Sequence, residues 1–291
     1  MNRRDVAKAV AGMIAAGAAG HQLGRAQSKR HADEKLDRRD APRDAASDAH
    51  GPPAASPGGE ILMLVYPRFT ALDLVGPQHV FSLLGPTYKT RLVWKSTDVV
   101  VSDTGVPVRP TQTLADATDA PAVVFVPGGT DGTLAVMEDP EVLDFLASRS
   151  AGARYVTSVC TGSLVLAAAG LLRGRRATTH WLALESLRAF GVEPVAERVV
   201  VDGNYVTGAG VTAGIDFALT LAKALTDETY AKGVQLMMEY DPQPPFRSGR
   251  PDSADPDTVA MLEAMVIGFN RDVAAVAGRQ TAVRGDEFPP R

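Results

Sequence analysis

The chain has 291 residues, 45% of them hydrophobic and 6% aromatic, with a formal net charge of −4. That length holds one large domain or two small ones plus tails, and the acidic balance argues against a nucleic-acid binder that relies on phosphate contacts. A single cysteine excludes an intramolecular disulfide and argues against a thiol-based zinc site. Three of the five histidines (His21, His31 and His50) lie in the first 60 residues, which contain no aromatic residue. His79 and His180 remain, too few for a histidine-rich metal cluster, so the residues suggest no metal.

The N-terminus opens with Arg3-Arg4, Asp5 and Lys8, followed by a short apolar run of small residues over 9–20. This pattern predicts an export signal of the twin-arginine kind over 1–26, and hence a periplasmic or exported protein with no stable membrane insertion after signal removal. The alternative is the frayed helix of a cytoplasmic protein. Residues 27–59 alternate charges and then turn to Pro, Ala, Ser and Gly, the composition of a solvated, disordered linker. The folded domain is expected over 60–250, followed by a C-terminal helix and tail over 251–291.

Within that domain, the apolar runs at 61–67, 122–129 (running into a glycine loop) and 155–160 read as strands buried on both faces of a parallel sheet. Residues 88–96 alternate and predict another strand, while 99–110 predict a small hairpin around Asp103-Thr104-Gly105. Helices are expected at 74–85, 140–152, 161–172, 182–191, 212–225 and 229–240. Residues 197–210 pair with themselves about Asp202-Gly203-Asn204. Val259, Leu262, Val266 and Phe269 predict one apolar face on a C-terminal helix over 255–269, docked on the domain or on a second subunit. Strands alternating with helices imply an α/β fold with a mostly parallel central sheet covered on both sides.

Cys160 ends a buried strand, and Thr161-Gly162-Ser163 opens a helix. A side chain on such an elbow projects into the crevice at the carboxyl ends of the strands. The helix N-terminus beside it favours a thiolate, which predicts a lowered thiol pKa and a nucleophilic role. The opposing reading is a buried, inert cysteine. Asp73 comes after the first strand at the same edge, placed either to pass protons to an intermediate on sulfur or to act as a helix N-cap. Gly128-Gly129 come after a buried strand; their N–H groups, with that of Thr161, suit an anion pocket, or else the pair is a tight turn. His180 suits a base that orients Cys160, or a structural histidine. Residues 208–214 (GAGVTAG) match the dinucleotide fingerprint in spacing, but no strand comes after the helix, so a nicotinamide cofactor is rejected.

The blocks YPRFTALDLVGPQHVF, FVPGGTDG, VCTGSLVLAAAGLL, RATTHW, DGNYVTGAGVTAGIDFALTLA and QLMMEYDPQPPF resemble, in one consistent order over about 60–250, the PfpI-like superfamily, and within it the isonitrile-hydrating branch. Ligand-sensing domains of AraC-type regulators share several of the blocks. The resemblance implies a flavodoxin-like three-layer sandwich of the class I glutamine amidotransferase-like kind, usually a homodimer, with no cofactor. It implies Cys160 as nucleophile and Asp73 as acid/base residue. Many PfpI-like proteases carry histidine directly after the cysteine; Thr161 stands there instead, which argues against a protease triad. The implied reaction adds water to a small-molecule isonitrile through a thioimidate on Cys160, giving an N-substituted formamide. Alternatives are a glyoxalase- or amidase-type enzyme on the same elbow, or a redox or ligand sensor. The 45 residues after Phe246 do not suffice for two helix-turn-helix units.

Overall fold

The computed structural model describes residues 58–284. The export-signal segment and nearly all of the linker therefore lie outside the described residues. Gly59 already begins the first strand, one residue before the expected domain start.

Seven strands form one sheet in the order β10-β11-β7-β6-β1-β2-β5. They are β1 (Gly59–Leu64), β2 (Tyr88–Trp94), β5 (Gln112–Thr113), β6 (Val123–Val126), β7 (Tyr155–Val159), β10 (Val199–Asp202) and β11 (Tyr205–Gly208). All neighbours run parallel except β10 and β11, which form the hairpin expected around Asp202-Gly203-Asn204. The apolar runs do become the central strands: Ile61–Leu64 of β1 and all of β6 are buried. A parallel sheet covered on both faces leaves no solvent side, so its strands need no polar alternation. The remaining short strands form two small pairs: β3 (Val100–Val101) with β4 (Pro107–Val108), the expected hairpin, and β8 (Arg176–Ala177) with β9 (Glu193–Pro194).

Helices α1 (Ala71–Ser82), α5 (Ala213–Leu225) and α6 (Glu228–Met237) pack together. Phe81 of α1, Phe125 of β6 and Phe217 of α5 join them to the sheet with ring centroids 5.8–6.4 Å apart. Such pairs contribute about 0.5–1.5 kcal/mol each beyond their buried area. A second group consists of α2 (Asp131–Met137), α3 (Pro140–Gly152) and α4 (Gly162–Ala168), with a 3-10 helix over Trp181–Phe190. The structure is thus the flavodoxin-like α/β sandwich. The segment 182–191 is helical, but of the tighter 3-10 kind, ended by Gly191 in the left-handed conformation at φ 72°.

The C-terminal expectation needs correction. The helix over 255–269 is split at Val266 into α7 (Pro256–Met265), which buries no residue, and α8 (Ile267–Arg284). The expected face does turn inward: Val259, Leu262, Val266 and Phe269 are half-buried, and Phe269 packs against the core. The fully buried contacts lie further on, at Val273, Val276 and Ala277, joined by Asn270, which accepts from Ser186 Oγ at 3.0 Å and donates to the Leu182 carbonyl at 2.8 Å. Residues 255–256 do start the helix as expected: the Asp255 carboxylate caps the N–H groups of Asp257 and Thr258. Among the described residues no helix is long and apolar enough to cross a membrane.

Candidate active site

The strand order reverses between β1 and β6: from β1 the chain steps outward to β2, and after β5 it returns to β6 on the other side. Crevices at the carboxyl ends of strands flanking such a reversal are the ligand sites of open α/β sheets. Asp73, Gly128 and Cys160 come after β1, β6 and β7, three adjacent strands. The topology therefore brings to one edge residues that lie 87 positions apart in the chain.

Cys160 forms a sharp elbow between β7 and α4, with φ at 56°. A non-glycine residue in the left-handed region costs roughly 1–2 kcal/mol and persists where the surroundings dictate it. Here they do: the Cys160 N–H is shared between the carbonyls of Gly208 (3.1 Å) and Ala209 (2.9 Å), and its own carbonyl accepts from Thr179 Oγ1 at 2.7 Å. Gly162 permits the close crossing, since a Cβ there would lie 2.2 Å from the Val126 carbonyl oxygen.

Asp73 lies in the first turn of α1, three residues past the N-cap Thr70, so it is not the helix cap. Pro77, four residues on, lacks the N–H that would bond to the Asp73 carbonyl. The Asp73 side chain is fully buried. Its Oδ2 accepts from the Gly128 N–H at 2.9 Å, and the carboxyl faces the Cys160 thiol, while Oδ1 has no oxygen or nitrogen partner. The fit is tight: a Cβ on Gly128 would stand 2.7 Å from Asp73 Oδ2, 2.7 Å from the Thr161 N and 2.8 Å from the Cys160 Cβ.

Burial dominates the acid–base state of this pair. It pushes the Asp73 carboxyl up to about 7, against the opposing pull of the Gly128 N–H and the Cys160 thiol. It pushes the thiol far above its ordinary value, and the Asp73 charge pushes it further, opposed by the Val211 and Thr161 N–H groups. The lowered thiol pKa expected from the helix N-terminus is therefore overturned. Two N–H donors do not offset burial beside a carboxylate. Below about pH 7 the pair holds two protons and above it one, and it titrates as a unit.

Gly128 and Gly129 sit where expected, but neither offers a free N–H. Gly128 donates to Asp73, and Gly129 donates to Thr161 Oγ1 at 3.0 Å. Thr161 Oγ1 also donates to the Gly129 carbonyl (2.7 Å) and is bonded to Thr133 Oγ1 (2.9 Å), which meets the buried Tyr66 hydroxyl at 3.2 Å. The Thr161 side chain thus consumes the donor assigned to an anion pocket, and the backbone donors at the sulfur are Val211 and Thr161. Val211 was not anticipated, although it belongs to the glycine-rich segment 208–214. That segment runs from the end of β11 through the loop over 209–212 into α5, facing Cys160.

His180 caps the 3-10 helix: its Nδ1 accepts from the Leu182 N–H at 3.3 Å, its ring stacks on Trp181, and it lies against Gly210. Burial lowers its pKa. It borders the Val211 loop rather than pairing with the thiol. Among the described residues no group of three His, Cys, Asp or Glu is placed to hold a metal. Two open clefts, of about 390 and 520 Å3, lie beside Arg68 and Trp181; neither is lined by Cys160 or Asp73. Cys160 and Thr161 are only 6% and 8% exposed, so little of the elbow reaches the surface.

Residues 59–224 match the model of the DJ-1/PfpI family. The chain is 53% identical over 195 residues to the isonitrile hydratase of Pseudomonas putida, covering 67% of this chain and 84% of that one. It is similar to the crystal structure of a ThiJ/PfpI family protein from Pseudomonas syringae, with a TM-score of 0.74 and 46% identity over 80% of this chain and 98% of that chain. The Drosophila melanogaster DJ-1beta structure shares the fold, at a TM-score of 0.57 and 24% identity over 64% of this chain. With the family model matched over 59–224, a stretch that spans the sheet, the elbow and the crevice, the chain belongs to the DJ-1/PfpI family.

Proposed function

We propose that this protein hydrates an isonitrile to an N-substituted formamide, with Cys160 as nucleophile and Asp73 as proton carrier. The observation that carries this reading is the buried Asp73–Cys160 pair, a carboxyl held by the Gly128 N–H so that it faces a thiol with little exposed surface. An isonitrile, R–N≡C, presents a terminal carbon at the tip of a linear rod, able to reach a nearly buried thiol. That carbon must gain both a nucleophile and a proton. The 53% identity to the Pseudomonas putida isonitrile hydratase supports the same reading.

The chemistry rests on the pair. As the Cys160 sulfur bonds to the terminal carbon, Asp73 takes the thiol proton and delivers it to the same carbon, giving the thioimidate R–N=CH–S–Cys160. The S–H bond breaks, and S–C and C–H bonds form. Asp73, again a carboxylate, removes a proton from water as its oxygen adds to that carbon, and passes the proton to nitrogen. The tetrahedral adduct then loses its hydroxyl proton through Asp73 to sulfur, the C–S bond breaks, and R–NH–CHO and the thiol are released. The Val211 and Thr161 N–H groups stabilise negative charge on sulfur as it forms and departs. A homodimer, as the PfpI resemblance implies, is part of this proposal, and light scattering in solution tests it.

Incubation with cyclohexyl isocyanide, with N-cyclohexylformamide measured by chromatography, tests the function. Methylglyoxal and simple amides are run beside it. Formamide is expected from the intact protein, with a loss of about 10³-fold or more in Cys160→Ala and in Asp73→Asn. Wild-type turnover of methylglyoxal or amides but not of isonitrile would overturn the reading.

A further inference from the structure

The loop that presents Val211 to the sulfur is under strain. Val211 is β-branched yet has φ at 26°, outside the regions such residues occupy. Its neighbours hold it by the backbone: Cys160 N–H donates to Ala209, Ala209 N–H donates to the Arg198 carbonyl (2.9 Å), and Ala213 N–H donates to the Gly210 carbonyl (2.9 Å). A strained conformation persists only where several contacts dictate it together.

One side chain adds to these from outside. The Arg198 guanidinium, just before β10, reaches across the loop to the start of α5. Its Nε donates to Asp216 Oδ2 at 2.6 Å, and its Nη2 donates to Thr212 Oγ1 at 3.4 Å. Thr212 is the N-cap of α5, yet its side chain makes no cap bond and is left to receive Arg198. Asp216 Oδ2 also accepts from the Tyr240 hydroxyl at 3.1 Å, so the carboxylate is gripped from two directions. Arg198 therefore holds the loop twice, by its carbonyl on the Ala209 side and by its guanidinium on the Thr212 side.

We propose that Arg198, clamped by Asp216 and Tyr240, is a positioning residue that aims the Val211 N–H at the Cys160 sulfur. It touches neither substrate nor thiol; it acts through the loop. The inference deepens the hydration reading and rests on it for its catalytic consequence. Its effect on the sulfur, however, can be read without any isonitrile. The Arg198–Asp216 pair is about half exposed, so the fold is expected to survive its loss.

The test is Arg198→Ala, with circular dichroism as the fold control. Cys160 alkylation by iodoacetamide is followed from pH 7 to 10, and kcat and KM are measured with cyclohexyl isocyanide. Removal of a single anion-stabilising donor costs 10²–10³-fold, so a misaimed one should cost about tenfold in kcat, with KM nearly unchanged. The alkylation profile should move up by about one pH unit, the same tenfold effect. Arg198→Lys, which keeps the charge facing Asp216 but not the fork that also reaches Thr212, should recover part of both losses. If Arg198→Ala does not fold, Asp216→Asn takes its place with the same readouts. A folded variant with the wild-type alkylation profile overturns the proposal. A shifted profile in a protein inert toward isonitriles sustains it and sinks the hydration reading instead.

Discussion

The Asp73 carboxyl faces the Cys160 thiol across the end of β6, and the backbone N–H of Gly128, the second residue past that strand, holds the carboxyl in place at 2.9 Å. Three neighbouring strands thus bring together a carboxyl, its clamp and a thiol, all buried. The arrangement behaves as one acid–base unit, and its consequences can be measured.

The first concerns rate against pH. Removal of the thiol proton requires Asp73 as carboxylate, and its pKa stands at about 7. We expect kcat/KM for isonitrile hydration to rise with pH through an apparent pKa near 7. The alkaline fall should come only well above pH 9, because the second proton sits on a thiol raised by burial. Steady-state rates from pH 5 to 10 check this; an activity flat from pH 5 to 8 would contradict it.

The same carboxyl links stability to pH. Its ordinary value is 3.8, so the folded chain binds this proton more tightly than the unfolded chain does. The resulting stabilisation is present in full below pH 4 and is lost as pH rises through 7, amounting to at most about 4 kcal/mol. Urea unfolding at pH 5 and pH 8 should show a drop that largely vanishes in Asp73→Asn, since Asn carries no titrating proton. An equal drop in the variant would mean that other groups cause it.

Gly128 is predicted to be irreplaceable for reasons of space. In Gly128→Ala the new methyl would overlap Asp73 Oδ2, the Thr161 N and the Cys160 Cβ, none of which can swing away cheaply. We expect a destabilisation of about 1–3 kcal/mol by urea denaturation and loss of formamide production by at least about 10²-fold. An active Gly128→Ala protein would show that the carboxyl and thiol need not be held this closely.

Thr161 offers a contrast between two substitutions. Its hydroxyl accepts from the Gly129 N–H and donates to the Gly129 carbonyl. Thr161→Val keeps the shape but leaves that buried N–H unpaired, at a cost of about 1–3 kcal/mol. Thr161→Ser keeps the hydroxyl and should cost less than about 1 kcal/mol. Thermal denaturation of the two variants separates a role for the hydroxyl from one for the methyl group.

Much of this was legible from the chain. The apolar runs at 61–67 and 122–129 read as central strands, and 61–64 and 123–126 of them are, because both faces of a parallel sheet are buried, which leaves an unbroken hydrophobic signature. Asp73 and Cys160 were legible as a pair because each comes after such a strand, and parallel strands deliver their C-terminal residues to one edge of the sheet. The C-terminal helix was legible in part: the face of Val259, Leu262, Val266 and Phe269 is half-buried with Phe269 on the core, but the fully buried anchor is Val273, Val276 and Ala277, further along a second helix. A helical period shows that a face exists, not what lies against it.

For Cys160, the sequence by itself determined the elbow, the strand before it and the carboxylate partner, because those depend on local conformation and strand order. Only the tertiary structure decided the state of the thiol and the donors that face it. Burial and the Asp73 charge raise the thiol despite the helix beside it, since desolvation depends on everything packed around the group. The Thr161 hydroxyl takes the Gly129 N–H and leaves Val211 at the sulfur, because hydrogen bonds are allotted by positions in space that no spacing along the chain encodes.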